Sequence, residues 1–363
     1  MRIAFFAPRD CEQKKNWARA LHSLGHTIYW LSFDSDIHQL PVKTYFQLPP
    51  FKWYPYLQFI LRSGYVKRIL RREKIDWVHA FYTTNYGLLA ALSCNGKFSV
   101  TAAGSDILIE PTRKPLLKRI NQFSLAKSSL IHSASVEITE TLKSNYKHLA
   151  KIVTMPEGVD TNIFAPGRKP DSNKIIITTT RKFTPIYNQT LQAEAAVILA
   201  RKHVPFEYHF IGDGPEKDAC MQIVKQGGAA DHCVFHGALA QSKLADILNR
   251  SHIYVSTSLS DGTSTALLEA MAVGAFPVVS DIPANRAWIE PGHNGYLVPV
   301  NDANQLAHLL LKAIQESELR KKSADINRKT VLEKAELRKI VLTFLHEIQP
   351  LIKNAKTSSS AAQ

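Results

Sequence analysis

The sequence predicts two α/β domains in tandem, each a doubly wound parallel sheet. Three observations carry this. Short β-branched and aromatic runs alternate with helical patterns along the chain. A segment rich in Pro, Gly and charge, "FAPGRKPDSNK" at 164–174, interrupts the alternation near the middle. The length, 363 residues, exceeds one typical hydrophobic core.

In the first half the expected strands are "RIAFFAP" (2–8), "TIYWLSF" (27–33), "DWVHAF" (76–81), "FSVTAAG" (98–104), "SLIHSAS" (129–135) and "KIVTMPEG" (151–158). Between the first two, Trp17, Ala20, Leu21 and Leu24 recur at helical spacing, and Gly25 suits the helix end. After the interruption come "KIIITTT" (174–180), "YHFIGDG" (208–214), "CVFHGAL" (233–239), "IYVSTS" (253–258), "FPVVSD" (276–281) and "GYLVPV" (295–300). Strand–helix–strand alternation implies parallel strands covered by helices on both faces. The domains are set at 1–168 and 172–330. A helix over 331–350 carries Leu337, Ile340, Val341, Phe344, Leu345 and Ile348 on one face. It is expected to pack back on the N-terminal domain and to stop at Pro350. The tail, 354–363, is small and polar and is expected to be flexible.

Composition narrows the function. The apolar and charged fractions are those of a globular protein. No apolar run reaches the roughly 18 residues that a membrane-spanning helix needs. The start "MRIAFFAPRD" reads as a first strand rather than a signal peptide, which points to the cytoplasm. Cys11, Cys94, Cys220 and Cys233 lack metal or redox spacing. The net charge of +14 is uneven. Residues 1–170 hold 24 Lys and Arg against 12 Asp and Glu, and residues 171–363 hold 21 against 19. An anionic partner is therefore expected at the first half. Nucleic acid is not favoured, because no recognition motif for it is present.

The stretch "SDGTSTALLEAMAVG", Ser260 to Gly274, carries the most chemistry. A buried-strand pattern leads into Asp261-Gly262-Thr263. Ser264 or Thr265 then caps a helix that Gly274 closes. Free amides at Ser264, Thr265 and Ala266, backed by the helix dipole, make an anion site suited to a phosphate or diphosphate. Asp261 and Glu269 are poor phosphate ligands but good acceptors for sugar hydroxyls. Together they suggest a nucleotide-sugar. The plain alternative is a helix with a surface Glu and an N-terminal Asp.

The longer segment "SDGTSTALLEAMAVGAFPVVSDIPANRAWIEPGHNGYLVP" resembles the nucleotide-binding core of glycosyltransferase family 4, retaining enzymes of GT-B architecture. "IDWVHAF", "TAAGSDIL", "PEGVDTNIF" and "FIGDGPE" extend the resemblance over most of the chain. It implies two Rossmann-like domains facing across a cleft. Glu269 would accept from the ribose hydroxyls. Asp261, at the place of the family's first Glu, would hold the transferred sugar. The amides of Ser264 to Ala266, next to Gly262, would hold the diphosphate, and Arg181 would stabilise it as it leaves. Gly212 and Gly214 would let backbone approach the nucleotide, and His236 and Gly237 would lie near the base. No metal or cofactor is implied beyond the donor. The sequence departs from the family pattern at Asp261, one methylene short, at Ala103, where many members carry His, and near Tyr187 and Asn188, where the family's Lys is absent.

Asp106 follows Gly104-Ser105 at a strand's carboxyl end. It is a catalytic candidate, or else a helix cap. His79 on a central strand is a candidate on the acceptor side, although a hydrogen-bonded core residue is the commoner reading. Arg9, Asp10 and Lys14, after the first strand, are further acceptor-side candidates. "YVKRILRREK" (65–74) predicts a helix with Tyr65, Val66, Ile69 and Leu70 on one side and cations on the other. With the aromatic run before it, and with Arg113, Lys114, Lys118 and Arg119, it suggests contact with an anionic membrane; a solvated basic helix is the alternative.

The leading expectation is an enzyme that moves a sugar from a nucleotide-sugar to a glycan or lipid-linked acceptor, in cell-surface polysaccharide or glycolipid synthesis. It would be cytoplasmic or peripheral on the cytoplasmic face of a membrane. The alternative is a non-catalytic nucleotide-sugar-binding partner subunit of a transferase complex. A nicotinamide oxidoreductase is disfavoured, because neither domain opens with GxGxxG.

Overall fold

The computed structural model describes residues 1–8, 11–33, 42–48, 57–167, 169 and 174–360. The chain divides into two compact units, Met1–Gly158 with Leu337–Gln363, and Val159–Glu336.

The first unit holds seven strands. They are β1 (Arg2–Phe6), β2 (Thr27–Ser32), β3 (Thr44–Gln47), β4 (Trp77–Phe81), β5 (Phe98–Ala102), β6 (Leu130–Ser133) and β7 (Lys151–Thr154). All pair in parallel, in the order β3-β2-β1-β4-β5-β6-β7. The order reverses between β1 and β4. These two strands are buried along nearly their whole length, as the unbroken apolar runs of a two-faced sheet require. Trp17 and Leu21 of the helix Glu12–Ser23 are buried against one face. The helix ends at Gly25 (φ 81°), whose N–H donates to His22 O while the His26 N–H reaches Leu21 O. This double bond closes the helix end, and its left-handed residue is usually Gly.

The strand β3 has no counterpart in the sequence reading. It is a four-residue, half-exposed edge strand, too short to show a period.

The second unit holds six strands. They are β8 (Ile175–Thr179), β9 (Phe206–Ile211), β10 (Cys233–Gly237), β11 (Ile253–Ser256), β12 (Phe276–Ser280) and β13 (Tyr296–Val298). The sheet is parallel, in the order β10-β9-β8-β11-β12-β13, and reverses between β8 and β11.

Two boundaries differ from the sequence reading. The division falls between Gly158 and Val159, before the Pro- and Gly-rich run. Phe164 belongs to the second unit's core, and Arg328 donates to the carbonyls of Thr161, Phe164 and Ala272. Burial, not composition, decides the edge of this unit. The last helix, Leu337–Ser360, joins the first unit's core through Val341, Phe344 and Ile348, and Phe344 lies edge-on to Trp17 at 5.4 Å. It also continues through Pro350 into residues expected to be a loose tail. Proline removes one N–H from the ladder, but Ile348 and Ile352, on either side of it, are both buried and keep the helix seated. Residues 361–363 lie outside the described residues.

In the helix Leu57–Arg72, Phe59, Val66 and Ile69 are buried as core residues. Tyr65, expected beside Val66, faces outward instead. With Leu57, Ile60 and Leu61 it follows i, i+3, i+4, i+8 spacing, an exposed apolar stripe. Among the described residues no helix is long and apolar enough to cross a membrane.

Candidate functional site

In a doubly wound sheet, the carboxyl ends of the two strands at the reversal open a crevice. In the second unit these strands are β8 and β11. Arg181 follows β8, and Asp261 to Ser264 follow β11. Fold topology thus brings together residues 80 apart in sequence. The helix Thr265–Ala272 starts there, with Ser264 as its cap, and Ser264 Oγ accepts from Leu267 N–H at 3.3 Å. Thr265 and Ala266 occupy the first turn, where N–H groups have no intrahelical acceptor. The Gly262 amide is taken, since it donates to Asp261 Oδ1 at 3.0 Å.

Arg181 Nη2 donates to Asp261 Oδ2 at 2.6 Å, and Nη1 lies 3.4 Å from Ser264 Oγ. The guanidinium stacks 4.0 Å above the Tyr187 ring. The two charged side chains are only 11% and 16% exposed. Burial is the largest influence and opposes the Arg181 charge, but Asp261, Tyr187 and Tyr254 together outweigh it, and the pKa is raised. Arg181 Nε is buried without a partner. The Glu269 side chain, on the same helix, has no hydrogen bond or ion pair to any described residue, while its backbone carbonyl accepts from the Val273 N–H. Burial pushes its carboxyl up to about 8, with Arg181 pulling the other way. A shielded carboxylate with no donor in the protein suits hydroxyl donors from a ligand.

Gly212 (φ 142°) and Gly214 (φ 152°) find their need for glycine inside the protein. A Cβ would stand 2.3 Å from Arg181 O at the first position and 2.4 Å from Phe183 O at the second. The Gly-Asp-Gly turn therefore fits tightly against the segment that carries Arg181. Gly212 N–H also donates to Gly237 O at 2.9 Å. His236 sits at the irregularity between β9 and β10. Its Nε2 lies 2.8 Å from His209 Nδ1, and His209 Nε2 lies 2.6 Å from Glu207. This chain of rings was not anticipated from the sequence; its partners alternate along β9, a spacing visible only once the strand is placed.

In the first unit, Asp106 is fully buried. Its Oδ1 accepts from the Ala103 and Gly104 amides, and its Oδ2 accepts from Thr83 N–H and Thr83 Oγ. With four donors converging on it, the carboxylate ties the loop after β5 to the segment after β4. It is a positioning residue, not an accessible acid or base. His79 is likewise a core residue, flanked by Ser99 Oγ at 2.8 Å and Thr101 Oγ at 3.0 Å and stacked on Trp17. Burial holds it well below the ordinary histidine range, so it is neutral. Lys14 also turns inward, pairing with Glu157 while only 2% exposed, because Trp17, Phe81 and Glu157 enclose it. Arg9 and Asp10 lie outside the described residues.

At the first unit's strand reversal, sequence reading missed Tyr82. It follows β4 with φ 71° and opens a π-helical turn, Tyr82–Tyr86. Left-handed backbone at a bulky residue costs on the order of 1–3 kcal/mol, and such strain concentrates at functional sites. "FYTTNY" carries no period that would announce it.

Two parallel α/β sheets, the second with a helix starting at its strand reversal, have the architecture of the GT-B fold, and the family models below make the chain a glycosyltransferase. The Glycosyl transferases group 1 model matches residues 160–330, and the Glycosyl transferase 4-like model matches residues 2–135. The chain belongs to the family 4 type of glycosyltransferases. It is 24% identical to N-acetyl-alpha-D-glucosaminyl L-malate synthase of Bacillus anthracis, over 85% of this chain and 82% of that one. It is 25% identical to the UDP-Gal:alpha-D-GlcNAc-diphosphoundecaprenol alpha-1,3-galactosyltransferase of Escherichia coli, over 73% of each chain. Among solved structures, Anabaena HepE in complex with UDP and glucose matches with a TM-score of 0.78 at 15% identity, over 96% of this chain and 99% of that one.

Proposed function

We propose that this glycosyltransferase moves a sugar, with retention, from a nucleoside-diphosphate sugar to a lipid-linked glycan at a membrane surface. The observation that carries the donor reading is Glu269: a half-buried carboxyl group whose oxygens have no partner among the described residues, on the helix whose start presents free amides beside Arg181. Uridine is the favoured base, because one relative is a UDP-Gal transferase and one solved structure is a complex with UDP.

In this reading the Thr265 and Ala266 amides and Arg181 take the diphosphate. An entering phosphate competes with Asp261 for the guanidinium, and the released carboxylate turns to the sugar's hydroxyls. The bond from the anomeric carbon to the phosphate oxygen breaks, and the acceptor oxygen bonds to that carbon from the same face. The acceptor's proton passes to the leaving phosphate, whose charge Arg181 stabilises as it develops. No side chain need act as base, which suits the buried state of Asp106.

The membrane reading is supported by the exposed stripe Leu57, Ile60, Leu61 and Tyr65, with Arg68 and Arg72 further along the helix. A second helix, Pro115–Lys127, exposes Leu116 and Phe123 beside Lys118 and Arg119. Apolar contact plus cations is what an anionic bilayer binds.

The test is turnover of common sugar nucleotides with a lipid extract as acceptor, followed by the anomeric configuration of the product. Acceptor-dependent release of nucleoside diphosphate with retention is expected. An inverted product overturns the mechanism, and no release from any donor overturns the enzyme assignment.

A further inference from the structure

A charged cavity lies at the amino end of β4, the end of that strand opposite the crevice at the reversal. It measures about 310 Å³ and is floored by Trp77 and Val78, at the start of β4. Lys67, Arg71, Lys74 and Lys97 line it, from three separate places in the chain: the helix Leu57–Arg72, the turn after it, and the turn before β5. Among the described residues no carboxylate ion-pairs with any of the four. Asp76, also in the lining, accepts from the Arg2 amide at 2.9 Å.

Helix ends do not account for so much charge. The helices Leu57–Arg72 and Gly87–Ser93 both finish at this cavity. Each C-terminus contributes about half a negative charge. With Asp76, this leaves an excess near +2 around a cavity of small-molecule size. Lys74 adds a second, independent sign. It stands at φ 50°, with its N–H on Arg71 O and the Ile75 N–H on Leu70 O. That is the helix-ending position at which glycine is usual. A lysine there is strained, and it is exposed, so core packing does not explain it.

We infer that this cavity binds the dianionic phosphate of a phosphomonoester, held by Lys67, Arg71, Lys74 and Lys97. Two sources present that group: a lipid headgroup such as phosphatidic acid, or a free sugar or glycerol phosphate. The lipid source rests on the membrane reading above; the free source does not. The residues that line it belong to the first unit, and none of them is assigned a part in sugar transfer. A lipid phosphate would fix the enzyme's orientation on the bilayer, and a free one would report the supply of phosphorylated precursors.

The experiment compares the full chain with two double variants of equal charge change. Lys67→Gln with Lys74→Gly empties the pocket, and the glycine relieves the strained backbone, so misfolding does not explain a loss. Arg68→Gln with Arg72→Gln removes exposed charge from the same helix. Each is titrated with glycerol 3-phosphate, and separately with vesicles of phosphatidic acid or phosphatidylglycerol matched in surface charge. The pocket variant is expected to lose at least about tenfold in affinity for glycerol 3-phosphate, since hydrogen bonds to charged groups contribute about 1.5–3 kcal/mol each. The Arg68 and Arg72 variant should keep wild-type affinity for glycerol 3-phosphate. Preference for phosphatidic acid, lost only in the pocket variant, supports the lipid source. Pocket-dependent binding of glycerol 3-phosphate with no vesicle binding supports the free source and overturns the membrane reading. Equal binding to both vesicles, with the two variants equally weakened and no soluble binding, overturns the pocket and leaves the membrane reading standing. No binding to any probe overturns both.

Discussion

Arg181 and Asp261 meet at 2.6 Å, so the cation assigned to the diphosphate is held by the carboxylate assigned to the sugar. The pair is mostly shielded from solvent and braced by Ser264 and Tyr187. In the proposed donor site, Asp261 thus occupies the place a bound phosphate would take on Arg181. The following predictions begin from that pairing.

Asp261→Ala should leave Arg181 charged and shielded without its partner. Breaking a buried pair from one side costs about 3–5 kcal/mol, toward the low end where some water reaches. The melting temperature should fall, and inorganic diphosphate should restore part of it by taking the place of the carboxylate. Turnover should fall by about 100-fold or more. Thermal melts with and without diphosphate check this; a melt that diphosphate does not move would dissociate Arg181 from phosphate binding.

Glu269→Gln should separate stability from binding. The carboxyl's folded pKa, about 8, lies above its ordinary value. Its contribution to stability is thus fully present below about pH 4.5 and is lost as pH rises through about 8. The Gln variant should remove that loss and melt higher than wild type at pH 9 in the absence of ligand. It should bind donor about 10- to 100-fold more weakly, because a hydroxyl bonded to a charged acceptor contributes about 1.5–3 kcal/mol. Calorimetry across pH and titration with UDP-sugars read both effects. Unchanged donor affinity would remove Glu269 from the site.

Asp106→Asn should act on stability alone. One amide NH₂ would face donors, so a loss of about 2–4 kcal/mol is expected. At a temperature where the variant is folded, the pH profile of kcat/KM should match wild type. A displaced limb in that profile would restore Asp106 as an acid or base.

Lys14→Met or Glu157→Leu alone should each cost about 3–5 kcal/mol, because each leaves a buried charge unpaired. The double replacement should recover most of the loss. Denaturant unfolding of the four proteins gives the coupling energy, and additive losses would show that the pair is not coupled.

Much of this protein was legible in its sequence. Twelve of the thirteen strands were legible as short β-branched or aromatic runs, most plainly the central ones, where burial on both faces leaves no polar alternation. The small-residue turn, the capping Ser264 and the helix behind it are contiguous, so the anion site shows in one short segment. What the chain order could not show is which side chains meet across it. His79, Asp106 and Lys14 stand at plausible site positions in sequence, yet the packing of Trp17 and the turns around Thr83 and Gly104 turn each of them inward. Tyr65 goes the other way, outward, because one helix face has room only for Phe59, Val66 and Ile69. Local pattern determined the elements and the helix start proposed to take the phosphate. Tertiary structure decided which charges are buried and paired, and placed Arg181 on Asp261, because burial and long-range contact depend on neighbours the sequence does not list side by side.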